Sequence, residues 1–470
     1  MRRFLSTLLF ACTFVFLHAQ PLQERIEKTF TAFRNDPQLK YGQSSLTVLN
    51  AETGTVIFSG NPDAGLAPAS TLKTITSVSA FSILGDGFTW ETKLGYNGTL
   101  TKGTLTGDLI LKGSGDPTLG SDRYSGTKPD VLLNRWAAAL KKAGVLVIEG
   151  NIIVDDLLFG TQTLPAGWVW QDIGNYYGAG ASAASWRENS IGLSFRPGNS
   201  PGSPAALLRT SPEVSYLSVI NEVTTGKAGT GDNVYAYSSP YSEIVYLRGT
   251  YAADLNKTIM IALPDPAFSL AYELKGKLQA SGINITGNAT TVRRMAVQGK
   301  ALPVAYTAVD NYASPSLSKV IYWLNQKSIN LYAEDILRTL SMKAKGKAGF
   351  EEGTDVITQL WKNKLGIDPN SMAILDGSGL SPENRITTLS MARILQAARK
   401  EPWFGSFYES LPVYNNMKMK SGSIRNVLCY TGYEKSSSGT PVVFSFITNN
   451  YSGSTSAIKQ KMFNVLDLLK

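Results

Sequence analysis

The spacing of apolar and polar positions gives this chain three textures. Leu22–Arg34 repeats its apolar residues at helical spacing and predicts an N-terminal helix. Residues 45–49 and 55–58 read as strands with Glu52-Thr53-Gly54 turning between them, which predicts a β-hairpin. From Thr71 the pattern is helical, entered after Pro68-Ala69. Between about residues 90 and 304 the texture changes to short β-rich runs, punctuated by Asn97-Gly98, Lys102-Gly103 and Thr106-Gly107. One helix is expected there, at residues 130–143, and residues 145–148 and 152–154 read as a second hairpin around Glu149-Gly150-Asn151. Helical patterns return at residues 319–340, 353–363 and 388–400. Strands follow at 427–433 and 442–448, and a closing helix starts near Ser456.

These elements predict an α/β (α+β) protein: an antiparallel sheet flanked by helices, interrupted by a large β-rich nested insertion. At 470 residues, 43% of them hydrophobic, the chain is too long for one ordinary core and has material for two or three domains. No internal repeat or low-complexity linker breaks it.

The first residues, Met1-Arg2-Arg3, precede an apolar run from Phe4 to Leu17, and Ala19 stands just before Gln20. That is the layout of a secretory signal, so residues 1–19 are expected to be removed and the mature chain exported to the periplasm or cell envelope. No later segment is apolar enough to cross a membrane, so the mature chain is expected to be soluble or peripherally bound. Cleavage takes away Cys12 and His18, leaving Cys429 and no histidine. Cys429, in an apolar run, is expected to be a buried thiol. The missing histidine excludes a Ser-His-Asp triad, a Cys-His pair and a His-ligated zinc site, so no metal and no cofactor is expected. The net charge of +9 suits an anionic wall polymer or membrane surface better than nucleic acid in an exported protein. Nothing in the sequence sets an oligomeric state.

Three short elements carry candidate chemistry: Ser70-Thr71-Leu72-Lys73, Ser328-Ile329-Asn330 and Lys420-Ser421-Gly422. In order they match the S-x-x-K, S-x-N and K-[ST]-G set of penicillin-recognising serine enzymes. Each alone is cheap: S-x-x-K recurs at Ser316–Lys319 and Ser456–Lys459, and S-x-N at Ser59–Asn61. Singly, Ser70 reads as a helix cap, Ser328-Asn330 as a turn and Lys420-Ser421-Gly422 as a loop entering a strand. Their order and contexts favour the joint reading. Ser70 and Lys73 lie one helical turn apart on one face.

Without histidine, a lysine in its neutral form can serve as base to a serine nucleophile. Lys73 is placed for that, with burial and the like charge of Lys420 expected to lower its pKa. Ser328 can relay a proton between Lys73 and the leaving amine. Asn330 can hold the substrate backbone. Lys420 and Ser421 can bind a terminal carboxylate. The N–H groups of Ser70 and Ser423 can form an oxyanion hole beside Gly422.

With these motifs the chain resembles the low-molecular-mass class C penicillin-binding proteins, which are D-Ala-D-Ala carboxypeptidases and endopeptidases. Ala67-Pro68-Ala69-Ser70-Thr71-Leu72-Lys73-Thr74 is similar to their nucleophile segment, and residues 325–334 to their second motif. Further likenesses are Asp376-Gly377-Ser378-Gly379-Leu380-Ser381, Gly107-Asp108-Leu109, Gly113-Ser114-Gly115-Asp116-Pro117, Val154-Asp155-Asp156 with Phe159, and Tyr176-Tyr177-Gly178-Ala179. The resemblance implies a transpeptidase-like domain from residues 20–89 and 305–470 around an insertion, 90–304, of two nested smaller domains. It implies peptidoglycan peptides as substrate, β-lactams as covalent inhibitors, and Asp155 and Phe159 among the substrate contacts. Two departures stand out. The third motif is Lys-Ser-Gly where Lys-Thr-Gly is usual. Pro382 follows Gly-Leu-Ser where many members have an arginine that meets the substrate's acidic side chain, and Arg385 is nearby.

Two other readings use the same residues. A β-lactamase-like or esterase-like hydrolase is opposed by the long gap from Ser70 to Ser328. A non-catalytic wall-binding protein is opposed by the intact set Ser70, Lys73, Ser328, Asn330 and Lys420, which a scaffold does not need.

Overall fold

The computed structural model describes residues 22–303 and 307–470. The expected signal segment, residues 1–19, lies outside the described residues, as does the expected end of the insertion at 304–305.

The main body is built on a six-stranded antiparallel sheet. Its strands are β1 (Gln43–Asn50), β2 (Val56–Gly60), β3 (Val413–Tyr414), β4 (Met417–Ile424), β5 (Val427–Lys435) and β6 (Pro441–Asn449), in the order β2-β1-β6-β5-β4-β3. Alternation along the central strands builds two cores. Val427, Cys429 and Tyr433 of β5, with Val443 and Ile447 of β6, face one group of helices. These are α2 (Leu72–Leu84), α3 (Leu317–Lys327), α4 (Asn330–Lys345), α5 (Phe350–Leu365) and α6 (Thr388–Ala398). Leu428 and Tyr430, with Val442, Phe444 and Phe446, face α1 (Leu22–Arg34) and α7 (Thr455–Leu466) on the other side. The helix α2 is buried throughout from Leu72 to Phe81, at the centre of the first core.

Three expectations change here. The helical run at 319–340 is two helices, α3 and α4, separated at Ser328, which takes the left-handed conformation (φ 56°) and ends α3. The Lys-Ser-Gly motif lies inside β4 rather than in a loop before a strand. The expected hairpin at 145–154 does not form: Val147–Ile148 and Ile152–Asp155 belong to different sheets, each pairing in parallel with other strands. The chain crosses there from a four-stranded to a five-stranded sheet, as its neighbour does at Gly107. A Cβ on Gly150 would sit 2.1 Å from the Gly107 carbonyl oxygen, so the crossing strands pack backbone to backbone. Asp108 replaces the interrupted ladder, accepting from Asn151 N at 2.8 Å. Of the three turn signals near residue 100, only Lys102-Gly103 closes a hairpin.

One face of the five-stranded inserted sheet carries Pro129–Lys142, as expected, and Pro266–Ala280, which was not expected; the short helix Val292–Val297 packs on Ile110 and Ile153 of the other face. The two longer helices bury Trp136 and Leu140, and Leu270 and Leu274, in one cluster. Thr307–Ala313 also joins this sheet, paired with Glu91–Tyr96. A separate cluster around Ile191, Leu193, Val245 and Leu247 holds a second β-rich unit.

The helix α4 ties the insertion to the body. Asp335 accepts from Ser182 N at 3.2 Å and Ser185 Oγ at 2.9 Å. The Arg338 guanidinium donates to the carbonyls of Phe159 and Gln162, and to Ala348 O at 2.7 Å.

Candidate active site

Ser70 sits in a 3₁₀ turn, Ala69–Thr71, that leads directly into α2. It caps nothing with its side chain. Ala69 is in the left-handed region (φ 45°), a strain of about 1–2 kcal/mol for a residue with a Cβ. Two glycines hold that turn. A Cβ on Gly422 would lie 2.8 Å from Ser70 N, and one on Gly379 would lie 1.9 Å from Ala69 O. The turn is therefore clamped between β4 and the Asp376–Ser381 loop, with no room for a side chain at either contact.

Lys73 rises from the first turn of α2 and is wholly buried. Its Nζ is 2.9 Å from Ser70 Oγ and 2.7 Å from Ser378 O. Burial draws its pKa down to about 7, while the negative charges of Asp376 and Glu334 act in the opposite direction. The expected depression is present, but its cause is burial; Lys420 is not among its sources. The repulsion acts the other way. Burial first, and then the charge of Lys73, hold Lys420 well below the usual lysine range.

Register in β4 decides where the third motif points. Lys420 pairs with Thr431 and Gly422 with Cys429, so both lie on the face toward α2. Lys420 Nζ is 3.0 Å from Ser328 Oγ and 2.8 Å from Ser421 O. Ser328 is thus bonded to Lys420 rather than to Lys73. Asn330 Nδ2 donates to Tyr177 O at 2.7 Å, which anchors the second motif to the inserted segment. The strand β3 pairs only with Met417 and Lys418. On the β3 side of β4, among the described residues, no strand pairs from Lys420 onward, which leaves a free edge at Ser421, Gly422 and Ser423 opposite β5.

The profile of the D-Ala-D-Ala carboxypeptidase 3 (S13) family matches residues 26–469. The chain belongs to that family. It is 24% identical over 459 residues to a D-alanyl-D-alanine carboxypeptidase of Actinomadura sp. (strain R39), covering 91% of this chain and 81% of that one. It is 23% identical to a D-alanyl-D-alanine carboxypeptidase of Haemophilus influenzae, over 86% of this chain and 84% of the relative. Its fold matches the crystal structure of penicillin binding protein 4 from the same organism with a TM-score of 0.79, at 21% identity, over 95% of this chain and 99% of that one.

Within this S13 chain the two other S-x-x-K serines stand apart. Ser316 bonds Ser318 at the start of α3, and Ser456 is exposed on α7. Two acidic residues without an assigned role prove central. Glu334 accepts from Gly377 N at 2.9 Å and Ser378 N at 2.8 Å, and burial pushes its carboxyl up. Asp376 accepts from the N–H groups of Gly379 and Ser381, each at 2.7 Å, and from Trp168 Nε1 at 2.9 Å. Together they order the loop whose Ser378 carbonyl receives Lys73. Both lay inside stretches that carry the family likeness, which was the available signal.

The insertion residues fare differently. Phe159 is buried: its ring packs with Ala183 and Ala348, and its carbonyl accepts from Arg338. It fastens the insertion to α4 and has no surface for a substrate. Asp155 is half-buried, and its Oδ1 accepts from Leu157 N at 3.3 Å. Arg385 turns back on its own loop, donating to Pro382 O at 2.6 Å and Asn384 O at 2.7 Å.

Proposed function

We propose that this chain is a serine D-Ala-D-Ala carboxypeptidase that acts on peptidoglycan stem peptides through an acyl-enzyme on Ser70. The observation that carries this reading is the 2.9 Å contact between Ser70 Oγ and the buried Nζ of Lys73. A lysine drawn to a pKa of about 7 has a substantial neutral fraction at neutral pH, and the neutral amine can take the serine proton.

The substrate's C-terminal dipeptide lies along the free edge of β4. Ser70 Oγ attacks the carbonyl carbon of the penultimate D-Ala and passes its proton to Lys73. The N–H groups of Ser70 and Ser423 stabilise the oxyanion. Lys420 and the Ser421 hydroxyl receive the terminal carboxylate. Ser328 delivers its proton to the departing amine and takes one from Lys420, to which it is bonded. Water then attacks the ester carbonyl, its proton returns through Ser328 to Lys420, and Lys73 gives its proton back to Ser70 Oγ as the ester C–O bond breaks. A β-lactam carries the same acyl centre in a ring whose amine cannot diffuse away, so it is trapped at Ser70. Asp155, at the end of its strand in the insertion, is a further contact for the stem peptide.

The same reading has residues 1–19 removed on export and the mature chain at work in the cell envelope. No helix among the described residues is long and apolar enough to cross a membrane. It keeps a catalytic body in two segments around an insertion of two nested units, with the far boundary moved from 304 to about 313, because Thr307–Ala313 pairs with Glu91–Tyr96 in the inserted sheet. The separate hydrophobic clusters of the insertion support that division.

Purified chain should release D-Ala from a pentapeptide ending in D-Ala-D-Ala, and Ser70→Ala should not. Equal release by both would rule out Ser70 as nucleophile.

A further inference from the structure

The second β-rich unit of the insertion has one sheet face in its core and the other in water. Val234 and Ala236 of Asp232–Tyr237 are buried, as are Val245 and Leu247 of Ile244–Ala252. Alternation turns Tyr237, Tyr246 and Arg248 to the opposite face. Pairing sets their order. Tyr237 stands opposite Tyr246, and Ile220 of Ser218–Asn221 lies on the far side of Tyr246. Trp170 adds a ring at the near end, its centroid 6.4 Å from that of Tyr237. Trp170, Tyr237, Tyr246 and Ile220 thus form one stripe across the strands, about 15 Å long at the usual strand spacing. Trp170 is 56% exposed, and Tyr246 and Ile220 are each 38% exposed. A contiguous apolar stripe left in water is the mark of a contact surface.

The chain that ends the stripe also reaches the catalytic site. Two residues before Trp170, Trp168 donates from Nε1 to Asp376 at 2.9 Å, and Gly167 packs against Ser381 of the same loop. Two residues after it, Asp172 accepts from Tyr177 OH at 3.1 Å, and the Tyr177 carbonyl holds Asn330. A ligand on the stripe is therefore held at a fixed place relative to Ser70.

The chemistry of the stripe selects its occupant. Arg248 lies 5.6 Å from the Tyr237 ring and 5.8 Å from the Tyr246 ring, and is paired with Glu222 at 2.7 Å. Its charge is balanced within the face, which suits an uncharged ligand better than an anionic one. Aromatic faces, negative at the ring centre, attract the C–H groups of a sugar ring, and tyrosine hydroxyls bond its hydroxyl and acetamido groups. In the wall a stem peptide hangs from a polymer of acetylated amino sugars. A second protein fits less well. Its footprint would be about 800 Å², whereas each aromatic side chain offers at most about 150–250 Å² and these are already half covered.

We propose that this stripe docks the glycan strand that bears the stem peptide, with Trp170, Tyr237 and Tyr246 as stacking platforms, and so raises the local concentration of stem peptides at Ser70. The inference rests on the cleavage at Ser70 proposed above.

The test uses glycan strands stripped of peptide by an amidase, intact sacculi and a soluble pentapeptide ending in D-Ala-D-Ala. Wild type and Ser70→Ala should both bind the stripped strands. Trp170→Ala and Tyr246→Ala should each raise the Kd for them about tenfold, and Tyr246→Phe, which keeps the ring, should not. KM on sacculi should rise in the alanine variants while kcat/KM on the soluble pentapeptide holds. A wild type that does not bind stripped strands, or an unchanged Kd in both alanine variants, overturns the glycan surface. So does a loss, in those variants, of self-association or of binding to anionic lipid vesicles with glycan binding intact, which would assign the face to a second copy or to a membrane. Glycan binding that the variants abolish, in a chain that benzylpenicillin does not acylate, keeps the surface and overturns the reading of Ser70.

Discussion

Lys73 Nζ lies 2.9 Å from Ser70 Oγ in a site where the lysine has no exposure to solvent. The base is therefore set by burial, and its working form is the deprotonated one. Its depressed pKa of about 7 places the change within the physiological range. The rate constant for acylation by benzylpenicillin should rise with pH through about 7 and level off above it, as the neutral amine becomes the dominant form. A rate that is flat from pH 6 to 9, measured by stopped-flow or quenched mass spectrometry, would remove Lys73 as the base.

Gly422 is the place where β4 meets the nucleophile turn. A methyl group there would lie 2.7 Å from Thr71 N and 2.8 Å from Pro68 O, and both are backbone atoms that cannot swing aside. Gly422→Ala should displace Ser70 by a few tenths of an ångström to an ångström and slow acylation by about a hundredfold or more. The measurement is the second-order acylation rate constant, with far-UV circular dichroism to show that the fold survives.

Asp335 fastens the insertion to α4, and burial holds its carboxyl well above the usual range. In the fold it keeps a proton that the unfolded chain gives up above about pH 4. Stability from this group therefore falls as pH rises above that point. Asp335→Ala strands Ser182 N and should cost roughly 1–3 kcal/mol in guanidinium unfolding. Asp335→Asn, which has no proton to lose, should cost less, and its deficit should shrink as pH rises. Equal loss in both variants at every pH would contradict the assignment.

Much of the site was legible because its chemistry is local. Ser70 and Lys73 share one helical turn, and with His18 inside the expected signal segment lysine was left as the natural base. The break at Ser328 was not legible: the left-handed residue is a serine, with no glycine to mark it, and the apolar pattern runs straight through it. Glu334 and Asp376 matter because burial brings them near Lys73, which no spacing reveals. At Glu149-Gly150-Asn151 a turn-like sequence serves a strand crossing between sheets, because glycine permits close backbone approach as readily as a turn. The helix Pro266–Ala280 was missed although Asp265 and Pro266 mark its start. The Asp265 carboxylate accepts from Phe268 N at 3.1 Å, the bond its position would suggest.

The central claim is that Ser70 is the nucleophile, and it can be read from one adduct. The chain is incubated with benzylpenicillin, digested and mapped by peptide mass spectrometry. The account predicts a single penicilloyl ester on the peptide containing Ser70, and none in Ser70→Ala. An adduct on Ser316 or Ser456, or no adduct at all, would contradict it.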